Sequence, residues 1–137
     1  MIRFLLVVTA ALIAWPQIAA AKSERTVHYA FDKVWPTAIR HLAVEEGHEI
    51  VTKDPDVGYV KFVVKDDGKE FKGALELIKG VDSSDNPVTR LVLRIDDRPT
   101  YMESGILTRM VEKLERERRN DRRGPPPTGG DQGKDKK

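Results

Sequence analysis

His41, Glu45 and His48 form the closest thing in this chain to a metal-ligand pattern. On one continuous helix His41 and Glu45 stand a turn apart and His48 three residues further on, within reach of one ion. Gly47 ends such a helix before His48. At 100° per residue His41 also falls about 95° from the centre of the adjacent apolar stripe, where a surface histidine is ordinary. These residues read as a solvated helix boundary, and no metal or cofactor is expected. Asp82-Ser83-Ser84-Asp85-Asn86 offers oxygen ligands at alternate positions, as calcium loops do. It lacks the central glycine, and Leu93 stands where the bidentate glutamate belongs, so it reads as a hairpin loop.

Nucleophilic chemistry fares no better. There is no cysteine, which removes thiolate nucleophiles, thiolate metal sites and disulfides. None of the serines, Ser23, Ser83, Ser84 and Ser104, lies in a G-x-S-x-G turn. Gly58, Gly68, Gly73 and Gly80 follow no phosphate-loop spacing. Carboxylates are plentiful, but a glycosidase pair must be held ~5–10 Å apart in a cleft. No catalytic residue is therefore assigned, and the chain reads as a binding protein rather than an enzyme. The enzymatic alternative is a small hydrolase using His41 or His48 with neighbouring carboxylates.

The elements that would position these groups begin after a leader. Residues 1–21 hold 17 hydrophobic residues, one cation at Arg3, an apolar run from Phe4 to Trp15, and Ala19-Ala20-Ala21 at the end. That is the layout of a secretory signal peptide cut after Ala21. The run is shorter than the ~20 residues a bilayer span needs, although an uncleaved anchor is the competing arrangement. No later stretch is apolar enough to cross a membrane, and without cysteine there is no lipid attachment. The remaining 23 Lys and Arg against 22 Asp and Glu give a net charge of +1, with no basic excess to neutralise a nucleic acid. The expected location is secreted or periplasmic. Residues 22–24 read as a short remnant, residues 25–123 as one domain, and residues 124–137, rich in Pro, Gly and Lys, as a disordered tail.

Within the domain, residues 26–31 alternate as a first strand. Asp32 caps a helix to Glu46, with Val34, Trp35, Ala38, Ile39 and Leu42 on one stripe. Strands follow at 49–53, 59–65, 71–79 and 89–95, with Asp67-Gly68 as a two-residue hairpin turn. The last helix opens with Thr100 and Glu103 as a capping box and carries Met102, Ile106, Leu107, Met110, Val111 and Leu114 on its apolar side. Beyond Leu114 it is almost wholly charged, with Glu115 spaced to pair with Arg118 or Arg119. The order β-α-β-β-β-β-α predicts an α+β fold of two layers, an antiparallel sheet of about five strands with both helices on one face.

The first strand, Asp32 with Val34-Trp35 opening a helix, Leu42 and Gly47 closing it, Glu49-Ile50-Val51 with Asp54, and Gly58 before Tyr59-Val60 make a pattern over residues 27–64. This pattern resembles the small helix-grip-like C-terminal domains of the BamC family of outer-membrane assembly lipoproteins. The resemblance implies an architecture, a helix gripped by an antiparallel sheet, and carries over no site. The chain departs from that family in having no lipobox cysteine and a single domain.

The sheet face away from the helices is then the informative surface. Alternation places Lys61, Val63, Ala74, Ile78, Arg90 and Val92 there, an apolar cluster rimmed by cations of the kind that marks partner contacts. Paired charges and the β-propensity of valine and isoleucine are the plainer account. Arg98 and Tyr101, at the start of the last helix, are a lesser candidate for holding an anion, with helix-start packing the simpler role. The expected function is an exported, cofactor-free module that docks a protein partner of the bacterial envelope through this face or an edge strand. A lipid or small-ligand carrier with its pocket between sheet and last helix is the alternative. If the leader is cut as read, the chain recovered from a periplasmic extract has the intact mass of residues 22–137. Recovery of the full-length mass from the membrane fraction overturns that reading.

Overall fold

The structure is a computed structural model that describes residues 23–124; residues 1–22, with the expected leader, and residues 125–137, with most of the expected tail, lie outside the described residues. The elements are β1 (Ser23–Val27), α1 (Phe31–Arg40) continued by a π turn (His41–Glu45), β2 (Glu49–Asp54), β3 (Tyr59–Asp66), β4 (Lys69–Val81), β5 (Pro87–Ile95) and α2 (Thr100–Arg123). Every strand pair is antiparallel and the sheet order is β1-β5-β4-β3-β2. The fold is α+β, with the predicted five strands and two helices. Strands β1 and β2 are consecutive but outermost, because α1 carries the chain across the sheet from one edge to the other.

Turn chemistry fixes the meander. Asp67 and Gly68 both have positive φ, 50° and 71°, as a two-residue hairpin of right-handed strands demands. Gly58, at φ 76°, lies so close to β4 that a Cβ there would sit 2.3 Å from the Leu77 carbonyl oxygen. Alternation then sends Val60, Phe62 and Val64, Leu75 and Leu77, and Leu91, Leu93 and Ile95 to the helix side, where all are buried. They meet Val34, Ala38 and Leu42 from α1 and Ile106, Leu107, Met110 and Leu114 from α2 in one core. Opposite Phe62 in the register stands Gly73, and the Phe62 ring occupies the space that a side chain at Gly73 would need.

Several sequence expectations need correction. Strand β1 starts three residues earlier than expected: Ser23 and Glu24, read as remnant, pair with Leu93 and Val92. The alternating Val27, Tyr29 and Phe31 are a buried strand end, a ring in the connection and the first residue of α1, with both rings packed on the core. The N-cap of α1 is Ala30, without a side-chain cap, and Asp32 lies in the first turn, where its charge suits the helix dipole. Helix α2 is capped by Pro99 rather than Thr100. Glu115 forms no ion pair with Arg118 or Arg119 among the described residues; the Arg118 guanidinium instead lies 5.3 Å from the Tyr29 ring centroid.

Glu103 also departs from the capping box. It is buried, and its carboxyl group reaches out of α2 to two other elements. One oxygen accepts the Ile95 N–H at 2.7 Å, where β5 ends, and the other accepts the Ser23 hydroxyl at 2.9 Å, where β1 begins. The Ser23 oxygen is also 3.2 Å from the Ser104 hydroxyl. Replacing Glu103 by alanine strands the Ile95 N–H in the core, so Glu103→Ala is expected to lower the unfolding free energy by about 2–3 kcal/mol in urea titrations, with Glu103→Gln losing about half as much because one acceptor oxygen survives.

Candidate functional site

The second face of the sheet carries no helix. Its residues follow from the register: Val63 opposite Lys72, Lys61 opposite Ala74, Ala74 opposite Arg94 and Glu76 opposite Val92. Strand β2 contributes through an irregularity between Ile50 and Thr52, where Val51 has no partner on β3. A residue bulged out of the ladder no longer obeys alternation, and Val51 is 59% exposed beside this face.

Together these residues surround an open hollow of about 660 Å³. Its apolar part comes from Val51, Val63, Ala74, Val92 and Tyr59, and its charged part from Lys61, Lys72 and Arg94 with Glu76 and Asp96. The hollow exists because Ala74 and the valines are short while the chains around them are long. Lys61 leans on the Tyr59 ring, 5.9 Å from its centroid. Of the six residues singled out from the sequence, the structure gathers Lys61, Val63, Ala74 and Val92 around the hollow. Ile78 and Arg90 lie outside it, paired with each other across β4 and β5, and Arg90 reaches Glu24 at 3.6 Å. Tyr59 shares the parity of Lys61 and Val63 and was legible by alternation; Val51 was not, since nothing in the residue order announces the bulge.

The histidines lie on the helix side. His41, expected at a solvated boundary, is 1% exposed. The π turn accounts for the difference: the Glu46 N–H bonds the His41 carbonyl five residues back at 2.9 Å, and the widened turn brings His41 inward beside Leu42. His41 Nδ1 donates to Glu45 Oε2 at 2.9 Å, and Nε2 lies 3.0 Å from Glu46 Oε1 but out of hydrogen-bond alignment. A neutral imidazole has one N–H, and the aligned contact places it on Nδ1. Helix α2 completes the cluster, Arg109 gripping Glu46 through two bonds of 2.7 and 2.9 Å and Lys113 pairing with Glu45.

His48 stacks on the Phe62 ring at 5.3 Å, with its Nε2 buried. It borders a smaller hollow of about 240 Å³ with Glu46, Arg109, Tyr101 and Met102. The pocket expected of a carrier, between sheet and last helix, is otherwise filled by Leu107 and Met110, both fully buried. No group of three or more acidic, histidine or cysteine side chains among the described residues is placed to hold a metal ion.

Asp82 and Arg98 are engaged within the domain. Asp82 accepts the Ser84 and Asn86 N–H groups at 2.8 and 3.0 Å, which folds the loop on itself and holds its carboxyl group below the usual range. Arg98 pairs with Asp66 and covers the Phe71 ring at 4.6 Å, while Tyr101 stands 74% exposed. The geometry thus defines a small two-layer α+β domain with one face committed to its helices and one open face with a charged-rim hollow. No protein-family model matches the chain, and no curated protein matches it.

Burial holds both His41 and His48 below 6.5, against the opposing pull of Glu46. Arg109 is the main influence keeping Glu46 below 4.5 despite its own burial. In the unfolded chain the histidines take up protons near 6.5, whereas in the folded protein they remain neutral to lower pH. The unfolded state then binds more protons, so stability falls as pH drops below about 6.5. Between pH 6.5 and 4.5 this loss belongs to the histidines, because Glu46 and Asp82 contribute only lower down. Urea midpoints measured across that window are expected to fall with acidification, and a His41→Gln, His48→Gln double variant is expected to show a flatter profile.

Proposed function

We propose that this chain is an exported, non-enzymatic binding module of the bacterial cell envelope that docks a protein partner on its open sheet face. The observation that carries the reading is the 660 Å³ hollow, in which short apolar side chains are walled by Lys61, Lys72, Arg94 and Tyr59. Concave apolar surface with a polar rim is what recognition sites share. Beside it, β2 is an edge strand whose outer backbone groups have no strand partner, and its bulged Val51 continues the hollow's wall. The leader supports export, and the resemblance to BamC-family domains supports an envelope assembly role. The histidine cluster does not favour a hydrolase, because the Nε2 atoms of both rings are buried and His41 Nδ1 is engaged by Glu45.

The test is photo-crosslinking from position 74 in the full chain, expressed in its own host. A single discrete protein adduct, lost on adding Val92→Asp and retained on adding Ile78→Asp, is the expected result. Absence of any adduct, or one indifferent to Val92→Asp, defeats the docking face.

A further inference from the structure

Three apolar residues of the open face, Val63, Ala74 and Val92, run on a diagonal. Val63 lies in the row of Lys72, Ala74 in the row of Lys61 and Arg94, and Val92 in the row of Glu76. Each step from β3 to β4 to β5 therefore moves the apolar position two residues along the sheet. With about 4.8 Å between strands and about 6.8 Å between same-face neighbours, Val63 and Val92 end a stripe about 17 Å long. An α-helix covers that distance in about eleven residues, or three turns.

The charges beside this stripe differ from those further away. Lys65 is bound to Glu49 and Glu70, and Arg90 to Glu24. Lys61, Lys72 and Arg94 make no ion pair among the described residues, and neither do Glu76 and Asp96. Three cations against two carboxyl groups leave the border of the stripe with one excess positive charge: Lys72, Arg94 and Asp96 stand on one flank of the diagonal and Lys61 and Glu76 on the other, so the excess falls on the flank of Lys72 and Arg94. That flank complements carboxylates.

The geometry points to an amphipathic α-helix of the partner protein, about three turns long, seated along Val63, Ala74 and Val92 with acidic side chains over Lys72 and Arg94. This inference rests on the docking reading above and names the segment that docks. A partner strand would add to an outer edge, along β1 or along β2 where the bulge at Val51 breaks the ladder, and would leave the diagonal empty. A second copy has no such helix to offer among the described residues: the apolar sides of α1 and α2 are in the core, and α2 beyond Leu114 is charged and mostly exposed.

Fluorescence anisotropy with labelled synthetic peptides of about 15 residues tests it, each with leucine at helical spacing and either glutamate or lysine elsewhere. The glutamate peptide is expected to bind the full mature chain at least about tenfold more tightly than its lysine twin. Val63→Asp or Ala74→Asp should weaken it by about tenfold, Lys72→Glu with Arg94→Glu should reverse the preference, and Ile78→Asp should change nothing. Circular dichroism confirms that each exposed-face variant is folded. Equal affinity for the twins, an undiminished serine-for-leucine control, no saturable binding, or tighter binding of dodecanoate than of either peptide overturns the helix. If the cross-link from position 74 still yields its Val92-dependent adduct in those cases, the docking reading stands without the helix; if both fail, both fall.

Discussion

The carboxyl group of Glu103 is the point on which the arrangement of layers turns. In the first turn of α2 it accepts hydrogen bonds from the end of β5 and the start of β1, which are neighbours in the sheet but far apart in sequence. A buried acceptor of this kind is satisfied only when all three elements meet, so it selects one angle and one register for α2 against the sheet. Ile106, Leu107 and Met110 then join Leu91 and Leu93 in one core, and the helix layer closes on that side alone. The open face is what remains once both helices are committed.

The charged cluster around His41 ties the two helices to each other within that layer. Glu45, the last residue of the π turn, and Glu46, which caps it, are reached by Lys113 and Arg109 from α2. With His41 neutral, two carboxylates are matched by two cations, so the imidazole can be buried at modest electrostatic cost. Its burial is a consequence of helix packing and places no accessible nitrogen where a substrate would lie. The groups with displaced protonation next to the core are thus on the helix side of the sheet, while the hollow lies on the other side. The histidine cluster and the hollow are separated by the thickness of one sheet.

How much of this could be read from residue order depends on range. Alternation in β3, β4 and β5 assigned nearly every residue to its face, because burial on one side and charge on the other repeat over many positions. Asp67-Gly68 marked its hairpin for a local steric reason. The failures share a different cause. The start of β1 is set by pairing with β5 and by the bond from Ser23 to a helix residue about eighty positions away. Glu103 satisfies the local rule for a capping box, yet a buried N–H at the end of β5 outcompetes the helix terminus for its oxygens. The π turn follows from fitting α1 to the core ahead of Gly47, and the bulge at Val51 leaves no trace in composition. Each is a tertiary demand overriding a sound local preference.

The hollow itself shows how such a site arises without any sacrifice of packing. Ala74 stands in the central strand, flanked across the ladder by Lys61 and Arg94, and is the shortest side chain in its row. Long chains around a short one create depth on a surface whose backbone is an ordinary sheet. Directly behind it, on the helix side, the Phe62 ring lies over Gly73 and keeps the core filled at the same place. The two faces therefore obey opposite requirements at neighbouring positions of β4: at Gly73 a missing side chain is replaced by a neighbour's ring, while at Ala74 the missing volume stays open. An alanine amid lysines and an arginine is a poor choice for solubility or for strand propensity. On the docking reading proposed above, the space over it is filled from outside the domain.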